Sequence, residues 1–213
     1  MPDVSSKPGA PEPAPELNPG PNPESNPESN PEPNPEPSLE RPGEWMTIDG
    51  TAYRCVVLCF LFRSRRRVDE EPERSVLLGL KRTGFGTGRV VALGGKIDGR
   101  ESAVEAAVRE VAEESGIELV PDALHHAGRV SWSFPDQPSW NMTAFLFTAD
   151  AGSADPTASE EIEPHWYGVG AIPWDAMWRD APYWLPTLLD GRPVDAHIEM
   201  ERDNEGVASA VLR

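Results

Sequence analysis

The pattern of apolar and polar positions divides most of the chain into short predicted strands. Residues 53–62 form an almost continuous apolar run, which predicts a buried strand, and the charged stretch 63–74 that follows predicts a loop. Glycine, proline or charged residues bound the other candidates. These further strands are predicted over residues 75–81, 89–93, 127–134, 142–148 and 162–170, and residues 194–212 predict a hairpin that turns at 203–206.

Helical periodicity is clearest over residues 101–115. Ala103, Ala106, Ala107, Val111 and Ala112 recur at the spacing of one helix face, so they can face a core. The next residue, a glycine, is predicted to end this helix as its C-cap. Shorter helices are predicted over residues 174–178 and 182–189. Strands around a central helix, with a second helix late in the chain, predict an α/β sandwich, with an α+β arrangement as the alternative.

The first 45 residues lack this patterning. Four similar tetrapeptides follow one another from Asn22 to Pro37, each starting Asn-Pro-Glu, and almost no apolar side chain is available to bury. Proline at every fourth place excludes a helix. We therefore predict a disordered tail over residues 1–45 and one folded domain over residues 46–213. A docking arm for a partner is the alternative function of the tail.

The formal net charge of −17 argues against binding to a nucleic-acid polymer, which requires a basic face. It leaves open a small polyphosphate whose charge is neutralised by metal ions. No apolar run of about 18 residues is present, so no membrane association is predicted, and the N-terminus lacks the apolar core of a secretory signal. Cys55 and Cys59, the only cysteines, fit reduced thiols in a cytoplasmic protein.

Three glutamates make the predicted central helix chemically distinctive. Glu110 and Glu114 are four residues apart and share a face, and Glu113 lies beside them. Clustered carboxylates repel one another, but they also supply the hard oxygen ligands that Mg²⁺ or Mn²⁺ prefers. Arg109 can hold one of these carboxylates in place. Taken alone, the same cluster is also compatible with a solvated acidic helix face.

The segment GKIDGRESAVEAAVREVAEESGI, residues 95–117, resembles the motif G-x5-E-x7-R-E-U-x-E-E-x-G-U of the Nudix hydrolase family, where U is apolar. Every specified position is filled, by Gly95, Glu101, Arg109, Glu110, Val111, Glu113, Glu114, Gly116 and Ile117. The resemblance implies an α/β/α sandwich with a mixed sheet and a loop–helix–loop catalytic motif. It also implies hydrolysis of a nucleoside diphosphate linked to another group.

The resemblance also implies roles for individual residues. Glu110, Glu113 and Glu114 would bind Mg²⁺, with Mn²⁺ as the alternative, and the Gly94 carbonyl would add a ligand. Arg109 would orient a carboxylate, and Glu101 would brace the motif through a salt bridge. Gly95 and Gly116 would support its two loops.

Three further segments are LLGLKRTGFGTGR at 77–89, EIEPHWYGVGAIPWDAMWRDAPYWLPTLL at 161–189 and the final predicted hairpin. They resemble the MutT homologues of animals, a branch of this family that removes oxidised purine nucleoside triphosphates, and the similarity extends over roughly residues 53–213. It implies that Trp178 stacks on a purine, Asp180 contacts the base edge and Glu161 is a further ligand or a base. The remaining implied pocket residues are Lys81, Phe85, Trp132, Phe134 and Met142. Each has a plainer alternative: Trp132, Phe134, Met142 and Trp178 as core residues, Lys81 as a surface residue and Asp180 as a helix cap.

Two positions depart from that branch. Val91 stands where the branch has an asparagine that hydrogen-bonds the base, and Ala181 stands where it has a second aspartate. A site that loses polar partners loses selectivity. We therefore expect cleavage of a purine nucleoside triphosphate to monophosphate and pyrophosphate, with the preference for oxidised bases left open. The alternatives are a pyrophosphatase for a nucleotide sugar or dinucleotide, and a sensor without catalysis.

Overall fold

A mixed nine-stranded sheet organises the part of the chain that the structure, a computed structural model, describes, namely residues 41–65 and 73–213. The predicted tail therefore lies largely outside the described residues. The strands are β1 (Trp45–Ile48), β2 (Thr51–Arg65), β3 (Glu73–Lys81), β4 (Val90–Val91), β5 (His125–Ser133), β6 (Met142–Asp150), β7 (Ile162–Gly168), β8 (Val194–Met200) and β9 (Val207–Leu212). The helices are α1 (Ala103–Ser115) and α2 (Ala181–Leu189).

The sheet runs in the order β4-β3-β2-β6-β5-β8-β9, with β1 paired to β2 and β7 paired to β3. The pairs β2–β6 and β5–β8 are parallel, and the other pairs are antiparallel. The long strand β2 pairs with β1, β3 and β6, so it is the centre around which the rest is arranged.

Each face of the sheet carries its own hydrophobic core and its own helix. Successive side chains of a strand point to opposite faces, so β2 supplies Cys55, Val57 and Cys59 to the core under α1 and Phe60 to the core under α2. Both cores consist of buried apolar side chains. The predicted α/β/α sandwich is therefore confirmed, with one helix covering each face.

The predicted charged loop 63–74 is wrong at both ends. Arg63–Arg65 continue β2 and Glu73 begins β3, because these residues pair across the hairpin, with Ser64 opposite Arg74. Two arginine side chains here also contact apolar rings: the Arg63 guanidinium lies 4.0 Å above the Trp166 ring and that of Arg74 lies 3.9 Å above the Phe62 ring. Arginine side chains can thus occur in a strand, because their aliphatic stems pack on apolar surface, although a run of charged residues by itself predicts a loop. Residues 66–72 of the predicted loop lie outside the described residues.

The other elements agree with prediction except at their ends. The predicted helix 101–115 begins two residues later, at Ala103, because Ser102 caps it. The predicted strand 162–170 ends at Gly168 and continues as a short 3₁₀ turn, and residues 174–176 form another 3₁₀ turn. In the described ranges no helix is both long and apolar enough to cross a membrane.

Candidate active site

The central helix α1 has sequence-encoded signals at both ends. At its start the Ser102 hydroxyl accepts a hydrogen bond from the Glu105 amide, and the Glu105 carboxylate accepts one from the Ser102 amide. This reciprocal capping satisfies two backbone donors that the helix cannot pair internally. At its end Gly116 adopts a left-handed conformation, with φ of 69°. The Ser102 cap and Gly116 together set where the helix begins and ends.

Two glycines let the sheet approach this helix closely. Gly94 has φ of 149°, and a Cβ there would lie 2.1 Å from the Val57 carbonyl oxygen, so only glycine fits. A Cβ on Gly95 would lie 2.3 Å from the Glu110 carboxylate, which therefore rests directly against the backbone of residue 95. The glycine pair consequently determines how deep the Glu110 carboxylate sits.

Glu114 is the most deeply buried carboxylate of the cluster, with 2 % of the residue exposed. One oxygen accepts a hydrogen bond from the Lys81 ammonium at 2.9 Å and the other from the Gly94 amide at 2.7 Å. The Lys81 ammonium also lies 2.6 Å from the Glu161 carboxylate. Lys81 thus bridges two carboxylates that are 47 positions apart in the chain. The alternative that Lys81 is an ordinary surface residue is wrong, because Lys81 is buried.

Arg109 ties the remaining acidic groups together. Its guanidinium donates to both Glu101 carboxylate oxygens, at 2.8 and 2.9 Å. It also donates to Glu110 at 2.8 Å and Glu113 at 3.2 Å. The bidentate geometry fixes the Arg109–Glu101 pair firmly, in the arrangement that the motif implied. A further bond to the Lys96 carbonyl, at 3.0 Å, attaches the helix to the loop after the glycines.

Burial disfavours the charged form of both inner carboxylates. Burial raises the pKa of Glu114 above its usual range, although its hydrogen bond with Lys81 opposes the shift. Burial likewise raises the pKa of Glu110, and Arg109 opposes it. Like-charge repulsion from neighbouring glutamates adds to both shifts. The two cationic side chains therefore do not fully offset the cost of burying these carboxylates.

The donor set fits a hard divalent cation. Among the described residues, five carboxylates, those of Glu101, Glu110, Glu113, Glu114 and Glu161, meet two cationic side chains, Lys81 and Arg109. Across residues 41–65 and 73–213 no three acidic, His or Cys side chains are already arranged as a coordination shell. The side chains of Glu113 and Glu161 are 60 % and 53 % exposed, so little packing opposes their reorientation.

A cavity of about 440 Å³ opens beside this cluster, a size suited to a small-molecule ligand. All seven predicted pocket residues line it: Lys81, Phe85, Trp132, Phe134, Met142, Trp178 and Asp180. On the side of the carboxylate cluster, the lining residues are Gly94, Gly95, Glu110, Glu113 and Glu161. Glu101, Arg109, Glu114 and Gly116 are not among its lining residues.

The aromatic end of the cavity has a ring cluster around Trp178. The Phe85 ring stacks on Trp178 with centroids 5.2 Å apart and planes 20° apart. Trp140 meets Phe85 edge-on at 5.4 Å and Phe134 at 5.8 Å. Trp132 and Phe134 belong to the core and also line the cavity, so the two alternatives for them are compatible.

Asp180 provides a buried polar group at this end. Its Oδ2 accepts hydrogen bonds from both the Trp132 and the Trp184 indole nitrogens, at 2.6 and 2.8 Å. Burial raises the pKa of this carboxyl, and the two indoles oppose the shift. Asp180 is the N-cap residue of α2, as the helix-cap alternative predicts, but its side chain makes no capping bond and binds the two indoles instead.

Sequence reasoning missed several cavity residues. Lys96 is exposed and lines the cavity next to Gly95, and its position directly after the glycine pair was a signal that could have indicated it. Trp184 and Met200 also line the cavity, but nothing in their local sequence distinguishes them from core residues. Val91 and Ala181 line it as well, so both departures from the animal branch face the same space.

Several known proteins are similar to this chain in sequence or in fold. A family model described as NUDIX domain matches residues 52–188. The oxidized purine nucleoside triphosphate hydrolase of mouse is 38 % identical over 143 residues, covering 67 % of this chain and 88 % of the relative. The zebrafish protein of the same name is 39 % identical over 114 residues, covering 54 % and 71 %. The crystal structure of a MutT protein from Bacillus halodurans matches with a TM-score of 0.57 at 22 % identity, covering 74 % of this chain and 96 % of that one, and shows likeness of fold.

Proposed function

Because the chain belongs to the NUDIX hydrolase family, we propose that it hydrolyses a purine nucleoside triphosphate to a monophosphate and pyrophosphate. The observation that carries the proposal is the cavity itself, which joins a carboxylate cluster to an aromatic end with one buried polar group, Asp180. A triphosphate and a base are the two ligand parts that these ends suit. The mouse and zebrafish relatives, named for this chemistry, support the same substrate class.

Members of this family use divalent metal ions, and we propose Mg²⁺, with Mn²⁺ as a substitute. Glu110, Glu113 and Glu114 would hold the ions, with the Gly94 carbonyl as a further ligand. Bound there, the ions would neutralise phosphate oxygens, orient the substrate and acidify the attacking water. The excess of carboxylates over cationic side chains supports this assignment.

The chain's own side chains would position the metal-binding carboxylates and deprotonate the attacking water. Arg109, held by Glu101, fixes the Glu110 carboxylate, and Lys81 fixes Glu114. Water attacks one of the two phosphorus atoms that share the α–β bridging oxygen: its oxygen forms a new P–O bond, the bond from that phosphorus to the bridging oxygen breaks, and the electron pair stays on the departing phosphate. Glu161, exposed at the cavity, is proposed to accept the water proton; if Glu161 instead adds a metal ligand, the proton passes to solvent.

The aromatic end would select the base. Trp178 is proposed to stack on the purine, and Asp180 to contact its edge. Val91 and Ala181 give this part of the cavity an apolar lining, so it has few groups that can distinguish an oxidised purine from an ordinary one. We therefore propose a broader purine specificity than that of a dedicated 8-oxoguanine enzyme.

The setting of the reaction is also a proposal. The buried free thiols of Cys55 and Cys59 support a cytoplasmic location, where thiols stay reduced. The net charge of −17 supports a small nucleotide rather than a nucleic-acid polymer as substrate.

A substrate panel with product analysis tests the proposal. The panel contains dGTP, dATP, 8-oxo-dGTP, a nucleotide sugar and a dinucleotide polyphosphate, each with Mg²⁺ and with chelator. We expect monophosphate and pyrophosphate from the purine triphosphates, and no turnover with chelator. Faster cleavage of the nucleotide sugar or dinucleotide would replace the proposed substrate, and binding without any turnover would indicate a sensor.

The apolar lining can be tested separately with the double variant Val91→Asn and Ala181→Asp. We expect its kcat/KM ratio of 8-oxo-dGTP to dGTP to rise by about tenfold or more, because both new polar groups face the cavity. The matched control is Val120→Asn, an exposed position on the connection after α1. An unchanged ratio would mean that the base binds elsewhere.

A further inference from the structure

Arg89 lies outside the residues that line the cavity, yet it contacts the ring proposed to stack on the base. Its guanidinium carbon is 4.2 Å from the centre of the Trp178 ring. One guanidinium nitrogen donates to the carbonyl of Met177 at 3.2 Å, the residue directly before Trp178. Arg89 therefore holds both the ring and the backbone of this segment.

The other side of the guanidinium is held by the hairpin between β8 and β9. A second nitrogen donates to the Glu205 carboxylate, which forms a salt bridge with it. The hairpin turn is itself ordered, because the Asp203 carboxylate accepts hydrogen bonds from the amides of Glu205 and Gly206, both at 2.8 Å. Glu205 is thus already placed to receive the arginine.

Arg89 also fixes the loop that carries Phe85, the ring stacked on Trp178. The Arg89 amide donates to the Gly86 carbonyl at 3.0 Å, and the Arg89 carbonyl accepts from the Lys81 amide at 2.9 Å. One residue thereby connects the Phe85 loop, the Trp178 segment and the C-terminal hairpin. These three segments are far apart in the chain.

We infer that Arg89 and Glu205 form a positioning pair that holds Trp178 and Phe85 in place for a purine base. The inference rests on the proposed function, since it concerns the base end of the same cavity. Neither residue lines the cavity, so the pair acts through the two rings. Removing it should weaken binding of the base without changing the carboxylate cluster.

The test compares Arg89→Met, Arg89→Lys and Glu205→Gln by steady-state kinetics with dGTP and Mg²⁺. We expect KM to rise by about three- to thirtyfold for Arg89→Met, the range of a lost cation–π contact. Glu205→Gln should raise it by about two- to fivefold, as for a single partly exposed ion pair. Arg89→Lys should restore part of the loss, and kcat should stay within about twofold for all three.

Two measurements separate positioning from general damage. The inhibition constant of inorganic tripolyphosphate, which has no base, should stay unchanged in every variant. Glu199→Gln, an exposed carboxylate on β8, and Arg192→Met, an exposed arginine paired with Asp190, should leave KM unchanged as matched controls. Glu205→Gln removes only a charge, so it keeps the test valid if Arg89→Met does not fold.

Calorimetric binding of dGMP makes the two proposals distinguishable, because it needs no turnover. If the wild-type chain cleaves no purine triphosphate, the proposed function fails, and the dGMP affinities of the variants still test the pair. An unchanged KM and dGMP affinity in Arg89→Met would overturn the inference. An equal weakening of tripolyphosphate and nucleotide would overturn it as well.

Discussion

The two ends of the cavity are built in opposite ways. The carboxylate end takes Glu110, Glu113 and Glu114 from a single helix, so their spacing in the sequence already sets their arrangement. The aromatic end takes its side chains from β3–β4, β5–β6 and the α2 region, which meet only in the folded sheet. The three helical glutamates are therefore local in sequence, whereas Lys81, Glu161 and the aromatic end depend on the tertiary fold.

The strongest way to break the carboxylate end is Glu114→Gln. The substitution keeps the size of the side chain but removes the charge that pairs with Lys81 and would hold the metal. We expect kcat with Mg²⁺ to fall by more than about 100-fold, beyond the loss typical of an outer-shell partner. The exposed Glu118→Gln on the segment after α1 is the control, and it should retain full turnover. Unchanged turnover in Glu114→Gln would refute the metal assignment.

Gly95→Ala should disturb the same end without unfolding it. Its Cβ would meet the Glu110 carboxylate at 2.3 Å, the movable end of a side chain, whereas a Cβ on Gly94 would meet backbone at 2.1 Å. We expect about a 10- to 100-fold loss of activity for Gly95→Ala, as for a displaced metal ligand, with a melting temperature near wild type. Gly94→Ala should instead lower the melting temperature markedly. Full activity in a folded Gly95→Ala would show that the depth of Glu110 is unimportant.

At the aromatic end, Trp178→Ala should change binding rather than chemistry. Loss of stacking on one base corresponds to about 1–3 kcal/mol, and Phe85 remains as a partial platform. We therefore expect KM for dGTP to rise by about tenfold while kcat changes little. Trp45→Ala, an exposed tryptophan that does not line the cavity, is the control. A fall in kcat with constant KM would place Trp178 in the chemical step.

The smallest expected effect concerns the stability cost of Asp180. Burial raises its pKa in the folded chain, so the unfolded chain ionises first as pH rises and folding loses stability through that window. This loss of folding stability is absent at pH values below the ordinary pKa of an aspartate, and it is complete at pH values above the raised pKa of Asp180 in the folded chain. Asp180→Asn keeps an oxygen that can accept both indole bonds, which share Oδ2.

We therefore expect Asp180→Asn to raise the free energy of unfolding at pH 7, because the amide carries no charge to bury. The gain should shrink as the pH is lowered through the same window, as measured by denaturant unfolding at a series of pH values. A gain that is independent of pH would show that ionisation of Asp180 is not its cause.

Sequence alone predicted the elements whose signals are local. The apolar run of β2, the amphipathic face of α1 and its C-terminal glycine are read directly from spacing, because each depends on neighbours along the chain. The end of β2 and the start of β3 were mispredicted as a loop. The ring under Arg63 is Trp166 on β7, and the ring under Arg74 is Phe62 on the partner strand β2, so neither contact is visible in the local sequence.

For this protein the sequence by itself determined the family, the sandwich architecture and the carboxylates of α1, since a motif on one helix carries its own geometry. Only the tertiary structure decided that Lys81 bridges Glu114 and Glu161, that Asp180 receives two indoles instead of capping α2, and that Arg89 meets Trp178 and Glu205. Apart from the Trp184–Asp180 bond, which spans four positions, these contacts join residues 33 to 116 positions apart. Chain spacing cannot encode them, because only the pairing of strands and the packing of both faces bring such residues together.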